Sequence, residues 1–313
     1  MHQRQQFLTA FMSDLSYVII LRFFVGLGMA LVFSPGIALT IRTFRKGSEG
    51  LAVGIYNSIY WVGGIIGLGM WPEIARAIGW RTSLMLSGGL GLLTLVMLYF
   101  TLPKLEEYSN RSITAGMLKS ILLNGRLAFI GIGLLALNLG LTLVTTFGVF
   151  YLINQPGTTP LLAGLVTSLA GVAAVVSAPF AGRLYDRVQN IRLLYLGSAI
   201  ITVAGMALAS VGSVAAIAIA GISVGVANGV GGTAAFSAAR EASRVDRRYE
   251  SLAIGWVNAI QFSGGFWAPV FFTTIVLAYG YGSAWLASAL VACVLFVPSL
   301  FSLRTQQTAN SQT

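Results

Sequence analysis

Charge is what this sequence of 313 residues has least of: 9 Asp and Glu with 19 Lys and Arg make up 9% of it, against 56% hydrophobic residues and a mean hydropathy of +0.82. So little polar surface cannot cover a soluble globule of this size, and the bilayer is the solvent that suits it. The one histidine is His2 and the one cysteine is Cys293, within an apolar run. That excludes an internal disulfide, and no cluster has metal-ligand or nucleophile-and-base spacing. No enzyme chemistry, metal or other cofactor is expected. The opening residues do not read as a signal peptide, because the apolar run Phe7 to Met12 is short and no small-residue cleavage site follows a long one. Asn110-Arg111-Ser112 fits a glycosylation sequon but falls among basic residues on the expected cytoplasmic side.

What is abundant is long apolar stretches. Spans fall near 16–40, 51–77, 80–102, 126–153, 160–181, 191–210, 213–238, 251–278 and 281–303, each near the roughly 20 apolar residues that a bilayer requires. Nine crossings are expected. The net charge of +10 would suggest nucleic acid in a soluble protein. Here, however, most Lys and Arg lie in the loops at 42–49, 103–124, 182–192 and 239–250, while the connectors at 154–159, 211–212 and 279–280 carry none. The asymmetry puts the basic loops and the tail at 304–313 in the cytoplasm, with no nucleic acid as partner. One cysteine and short loops suit a prokaryotic inner (plasma) membrane.

The chain also repeats itself. Glu49 to Gly64, EGLAVGIYNSIYWVGG, returns 201 positions later as Glu250 to Gly265, ESLAIGWVNAIQFSGG, with eight of sixteen positions identical. The same offset relates Gly28 to Gly229 and Gly79 to Gly280, so a multi-helix unit is duplicated. Met1 then corresponds to Thr202, inside the third span of the second copy. The division expected is an incomplete N-terminal bundle at 1–102, holding the end of a third helix and helices four to six, a cytoplasmic connector at 103–124, and a complete six-helix bundle at 125–303. Nine helices of twelve would be present, as in an N-terminal truncation.

Three short motifs inside this duplicated frame resemble those of the major facilitator superfamily of secondary transporters. Gly182, Leu184, Asp186 and Arg187 in GRLYDRVQNIR resemble its G-x-L-x-D-R loop, although Gln189, Asn190 and Ile191 depart from the pattern and Arg192 comes one position late. Arg22, Gly26 and Gly28 in RFFVGLG resemble the R-x-x-x-G-x-G motif of its fourth helix, and Gly79-Trp80-Arg81 the turn before its sixth. The resemblance covers residues 16–303. It implies an all-α integral membrane fold of two bundles, related as parallel repeats by a pseudo-twofold axis. It also implies transport by alternating access, as a secondary active transporter or a facilitator. The glycine-proline motif of proton-driven antiporters is not met, since the proline comes late, at Pro72.

Polar groups inside the spans are the functional candidates, because each is costly in hydrocarbon. Arg22 reads as an anion attractor or a proton-coupling group, against the plainer reading of a side chain snorkelling to the headgroups. Asn138, Thr142, Thr145 and Thr146 share a face of one helix. Asn57 and Tyr60 match Asn258 and Gln261 through the repeat. The recurring asparagine fits an interhelical hydrogen bond as well as a solute contact, whereas the diverged Tyr60 and Gln261 pair suits recognition. Asp186 can accept hydrogen bonds from a helix N-terminus or from an arginine, so that Gly182, Asp186, Arg187 and Arg192 are read as a conformational latch, against the plainer reading of an ordinary positive-inside loop with a local ion pair. Gly26, Gly28, Gly63, Gly64, Gly221, Gly225, Gly229, Gly264 and Gly265 are read as helix-packing positions. Glu73, Arg76 and Arg81 form a solvated cluster at the outer end, and no carboxylate is expected to be buried in the spans. The expectation is a monomer that moves a small solute across the lipid bilayer with or without a coupling ion, an anion being suggested by Arg22. The alternative is a truncated protein that does not transport, as a remnant or an interaction partner.

Overall fold

In hydrocarbon a backbone N–H or C=O has no water to bond, so a chain this apolar satisfies its backbone inside helices. The computed structural model describes residues 15–45, 47–101, 114–188, 190–242 and 250–302, and they are helical nearly throughout. In order these are α1 (Leu15–Thr43), α2 (Glu49–Ile65), a π-helical segment (Ile66–Met70), α3 (Trp71–Ile78), α4 (Trp80–Thr101), α5 (Ala115–Leu122), α6 (Gly125–Ile153), α7 (Pro160–Val188), α8 (Ile191–Ala209), α9 (Val214–Ala242) and α10 (Glu250–Ser302). Among the described residues, eight helical stretches are long and apolar enough to cross a membrane. The last of them is two helices, because Gly280, at φ 80 and ψ 171, breaks α10. Divided there, the stretches match the nine spans of the sequence.

The duplication is visible in the backbone. Gly79 and Gly280, 201 positions apart, have φ of 83 and 80, a region that glycine enters without strain. Each breaks a helix just before the last span of its bundle. The other starts come from local chemistry. Asn124 Oδ1 accepts from the Arg126 and Leu127 amides (3.0 and 3.2 Å) to open α6, and Asn190 Oδ1 accepts from the Leu193 amide (3.1 Å) to open α8.

Three details differ from the sequence reading. The span near 51–77 is interrupted by the π-helical turn, for which Pro72 supplies a reason: it has no N–H for the carbonyl of Leu68, four residues back. The connector contains α5, which buries Ile121. The 160–181 span continues to Val188, so the G-x-L-x-D-R segment is the end of α7 and not a loop.

Side chains pack into two layers. One holds Ile37, Val53, Leu127, Leu134, Tyr195 and Phe236, and the other Leu143, Ala170, Val224, Phe272 and Trp285. The second half of the chain is the better covered, whereas α4 contacts chiefly α3 and leaves Tyr99 and Phe100 exposed. Gly225 and Gly229 of α9 lie on α7, where a Cβ at Gly225 would come 2.9 Å from Ala170 Cα and one at Gly229 2.9 Å from the Ala174 carbonyl oxygen. Gly221 meets the same helix at van der Waals range. A Cβ at Gly26, Gly63 or Gly265 would meet nothing within 4 Å, so these three are not close-packing positions. Open space lies beside them.

Gly225→Val therefore forces α9 away from α7 and is expected to cost about 1–3 kcal/mol, the range for overpacking. Thermal unfolding in detergent should show the loss, with Gly63→Ala unchanged or slightly stabilised.

Candidate functional site

The site begins with how α2 lies on α7. The two run antiparallel, and contacts recur along the whole length. At the end that carries the basic loops, a Cβ at Gly50 would come 2.6 Å from the Gly182 carbonyl oxygen, and one at Gly182 would come 2.8 Å from Leu51 Cα. Further along, Ser58 Oγ donates to the Val175 carbonyl at 2.8 Å, Gly171 faces Ile65, and Gly164 lies against the Leu68 carbonyl. That carbonyl belongs to the π-helical turn. Backbone meets backbone where glycine stands, at positions 50, 54, 164 and 182.

Asp186 completes this seam. Its Oδ1 accepts from the Gly50 amide at 2.7 Å and its Oδ2 from the Leu51 amide at 3.0 Å, so a carboxylate of the second half caps a helix of the first. Two orphan N–H groups and the positive end of the α2 dipole are satisfied together. Gly182 lets the backbones approach, while Arg187 is exposed and Arg192 half-buried nearby in sequence. Glu250, the repeat counterpart of Glu49, is 3% exposed at the first residue of α10, one position before the 251–278 span of the sequence reading. It lies at a helix N-terminus, where the dipole favours a negative charge.

Between the halves, where α1, α2, α6, α9 and α10 converge, is a cavity of about 20 Å³. It is lined by Asn57, Tyr60 and Trp61 of α2, Asn138 of α6, Asn228 and Gly232 of α9, Gln261 and Phe262 of α10, with Phe33 and Phe236. Asn57 and its neighbours at i+3 and i+4 share one helix face. Asn228 Nδ2 donates to the carbonyls of Leu137 (2.9 Å) and Val224 (3.1 Å), and Asn138 Nδ2 to that of Gln261 (3.4 Å). Gln261 Oε1 and Trp61 Nε1 are buried without a hydrogen-bond partner. Buried polar atoms left in this condition are costly unless a ligand or water meets them. Two larger grooves, of about 490 and 710 Å³, are lined almost wholly by apolar side chains and lie open to the side. The small polar cavity is therefore the candidate.

Not every expected residue reaches it. Asn57, Tyr60, Asn138 and Gln261 do. Asn258 instead lines the groove between α1, α5 and α10, so the repeated asparagine has two different surroundings. Thr145 Oγ1 donates to the Leu141 carbonyl of its own helix at 2.8 Å, Thr142 is half-buried and Thr146 is exposed, none of them at the cavity. Arg22 falls in α1, but its side chain lies outside the described residues; its backbone precedes Phe33 by eleven residues, about 16 Å along the axis. Gly28 lines one apolar groove, Gly64 touches only Trp61, and Gly264 faces Leu135. Asn228 and Trp61 were not among the expected residues, although a lone asparagine within the glycine stripe of α9 was the available signal. At the far end from the basic loops, Glu73 and Arg76 lie 3.8 Å apart and Arg81 covers the Trp80 ring at 4.5 Å, both solvated, as expected.

Comparison with known proteins agrees with this architecture. The sequence profile of the Major Facilitator Superfamily matches residues 6–269. The chain is 26% identical over 309 residues to the nitrite extrusion protein of Bacillus subtilis (strain 168), covering 93% of this chain and 73% of that one. It is 25% identical over 262 residues to the probable nitrate transporter NarT of Staphylococcus haemolyticus, covering 81% and 64%. To the probable sugar efflux transporter of Mannheimia succiniciproducens it is 29% identical over 200 residues, covering 63% of this chain and 49% of the relative. In fold it is similar to the crystal structure of the transporter FucP in the outward conformation, with TM-score 0.68, 14% identity, and 96% and 79% of the two chains covered.

Asp186→Ala strips the cap from α2 and should weaken the seam by about 0.5–2 kcal/mol, the usual value of an N-cap. A cysteine in place of Ser58, buried in the seam, with Cys293 changed to serine, should then label faster with a water-soluble maleimide than in the same background with Asp186 intact, and Asp186→Asn should fall between.

Proposed function

Because the chain belongs to the Major Facilitator Superfamily, a family of membrane transporters, we propose that it moves a small monovalent oxyanion of the nitrite and nitrate class through the cavity between its two halves. The observation that carries the reading is the cavity itself: neutral, amide-lined, and far smaller than a sugar. About 20 Å³ accommodates a water or a few-atom ion, since one water needs roughly 10–15 Å³ by this measure. Among the relatives, the names nitrite extrusion protein and nitrate transporter suit that size, and sugar efflux does not. Transport is favoured over the interaction-partner reading by the company of those relatives.

The mechanism follows from the seam. Residues 1–102 and 125–303 act as two bodies, and the α2–α7 contact capped by Asp186 closes the cavity toward the basic end. The basic loops and the tail at 304–313 face the cytoplasm of a prokaryotic plasma membrane, by the positive-inside rule. Breaking the Asp186 cap opens that side, while separation of the π-helical turn from Gly164 opens the other. Such alternation keeps a continuous aqueous path from forming. Arg22, on α1 toward the outer end, draws anions to the mouth and does not hold them at the centre. The protein works as a monomer, with both halves on one chain.

In proteoliposomes the chain should take up labelled nitrite and not a hexose. Arg22→Ala should raise the KM for nitrite several-fold and leave the maximal rate near the parent's. Uptake of the hexose without nitrite uptake would overturn the proposal.

A further inference from the structure

We infer that the central cavity holds its solute as the neutral conjugate acid of a small oxyanion, so that the proton rides on the solute and not on a protein carboxylate. The inference rests on the reading of this cavity as the solute site. Its basis is the direction in which the cavity amides are fixed. A backbone carbonyl only accepts, so a side-chain amide held against one must present its NH2 there. Asn228 Nδ2 donates to two such carbonyls, of Leu137 at 2.9 Å and Val224 at 3.1 Å. Both hydrogens are committed, and Oδ1 is the polar atom that Asn228 has left to offer. Asn138 is turned the same way by the Gln261 carbonyl, and Gln261 Oε1, on a residue 9% exposed, is buried without a partner. The second half of the chain thus supplies acceptors at Asn228 Oδ1 and Gln261 Oε1, beside the amide NH2 of Gln261 and the second N–H of Asn138.

The first half brings donors, with Asn57 Oδ1 as an acceptor beside them. Trp61 Nε1 is buried without a partner, and an indole N–H does nothing but donate. Asn57 Nδ2 lies on the side of Gly232, where a Cβ would come 3.4 Å from it. Tyr60 brings a hydroxyl. Among the residues lining the cavity, Tyr60 alone is titratable, and none is Asp, Glu, His, Lys or Arg.

A bare oxyanion offers only acceptors. It would satisfy Trp61, but it would set a negative charge against the oxygens of Asn228 and Gln261 with no cation among the lining residues to offset it. The conjugate acid matches both walls: its N=O oxygen accepts from Trp61, and its O–H donates to Asn228 Oδ1. The chemical step is one O–H bond. The anion takes a proton from hydronium on the side it enters from, forming the O–H bond and leaving water, and on release the O–H proton passes to water on the other side as hydronium, so one anion and one proton move together without net charge. Nitrite, the anion of the weaker acid, undergoes that protonation far more readily than nitrate does, and the cavity separates the two.

Calorimetry of the purified full chain with sodium nitrite, in two buffers of different ionisation enthalpy, reads the proton directly. The expected result is about one proton taken up per nitrite bound, and a Kd that weakens about tenfold per unit rise in pH, as linkage requires of one coupled proton. Sodium nitrate should bind at least tenfold more weakly. Asn228→Leu should lose nitrite binding; if its thermal midpoint shows misfolding, Trp61→Phe, which removes only the opposing donor, serves in its place. Equal heats in the two buffers with a pH-independent Kd, or nitrate binding as tight as nitrite, would overturn the inference and leave the oxyanion reading standing. Binding of neither anion would overturn both.

Discussion

The structure depends on one contact between halves: the backbone of α2 laid against the backbone of α7. In lipid the hydrophobic effect does not drive helices together, so association has to come from close packing and hydrogen bonds. Glycine at positions 50, 54, 164, 171 and 182 brings the chains near enough for dispersion along the full length of the seam. Asp186 then adds directional bonds to the Gly50 and Leu51 amides at one end. A contact built from small residues and one cap is tight and yet separable. To part, the halves must also draw Phe33 of α1 off Phe236 of α9, whose rings lie 5.6 Å apart.

That separability gives the cavity its meaning. Its polar atoms come from helices on both sides of the seam: the Trp61 N–H and Asn57 amide from α2, and the Asn138, Asn228 and Gln261 amides from α6, α9 and α10, with Asn228 Oδ1 and Gln261 Oε1 as acceptors. On the proposed reading, both sides of the cavity meet one solute only when the halves are together. The lining residues bring no fixed charge, so selection rests on hydrogen-bond complementarity and size. A site of this kind, holding few polar atoms and those fixed by carbonyls of the scaffold, discriminates sharply because a mismatched solute leaves buried groups unpaired.

Much of this was legible in the sequence, because it lies in periodicity and repetition. The spans, the 201-residue offset and the glycine stripe of α9 all have a geometric correlate, down to the matching left-handed Gly79 and Gly280. Asp186 was legible as a carboxylate bound either by a helix N-terminus or by an arginine; that it caps α2 was not, since that partner lies about 135 residues away in sequence. The cavity was half legible. Asn57, Tyr60, Asn138 and Gln261 share it, but Thr145 on the same helix as Asn138 satisfies itself within the helix. Asn228 was hidden by its neighbours Gly225 and Gly229, whose spacing read as packing alone. The π-helical turn has no periodic signature, and it follows from Pro72 only once the helix is known to continue.

The account's central claim is that the α2–α7 seam opens at its two ends in alternation. Pairs of spin labels at Gly47 and Arg187, near the basic end, and at Ala77 and Thr159, near the other, would report it by double electron–electron resonance in a background with Cys293 replaced by serine. Reciprocal shifts in the two distance distributions, one lengthening as the other shortens when nitrite is added, are predicted. Distributions that stay fixed, or that lengthen together, would contradict it.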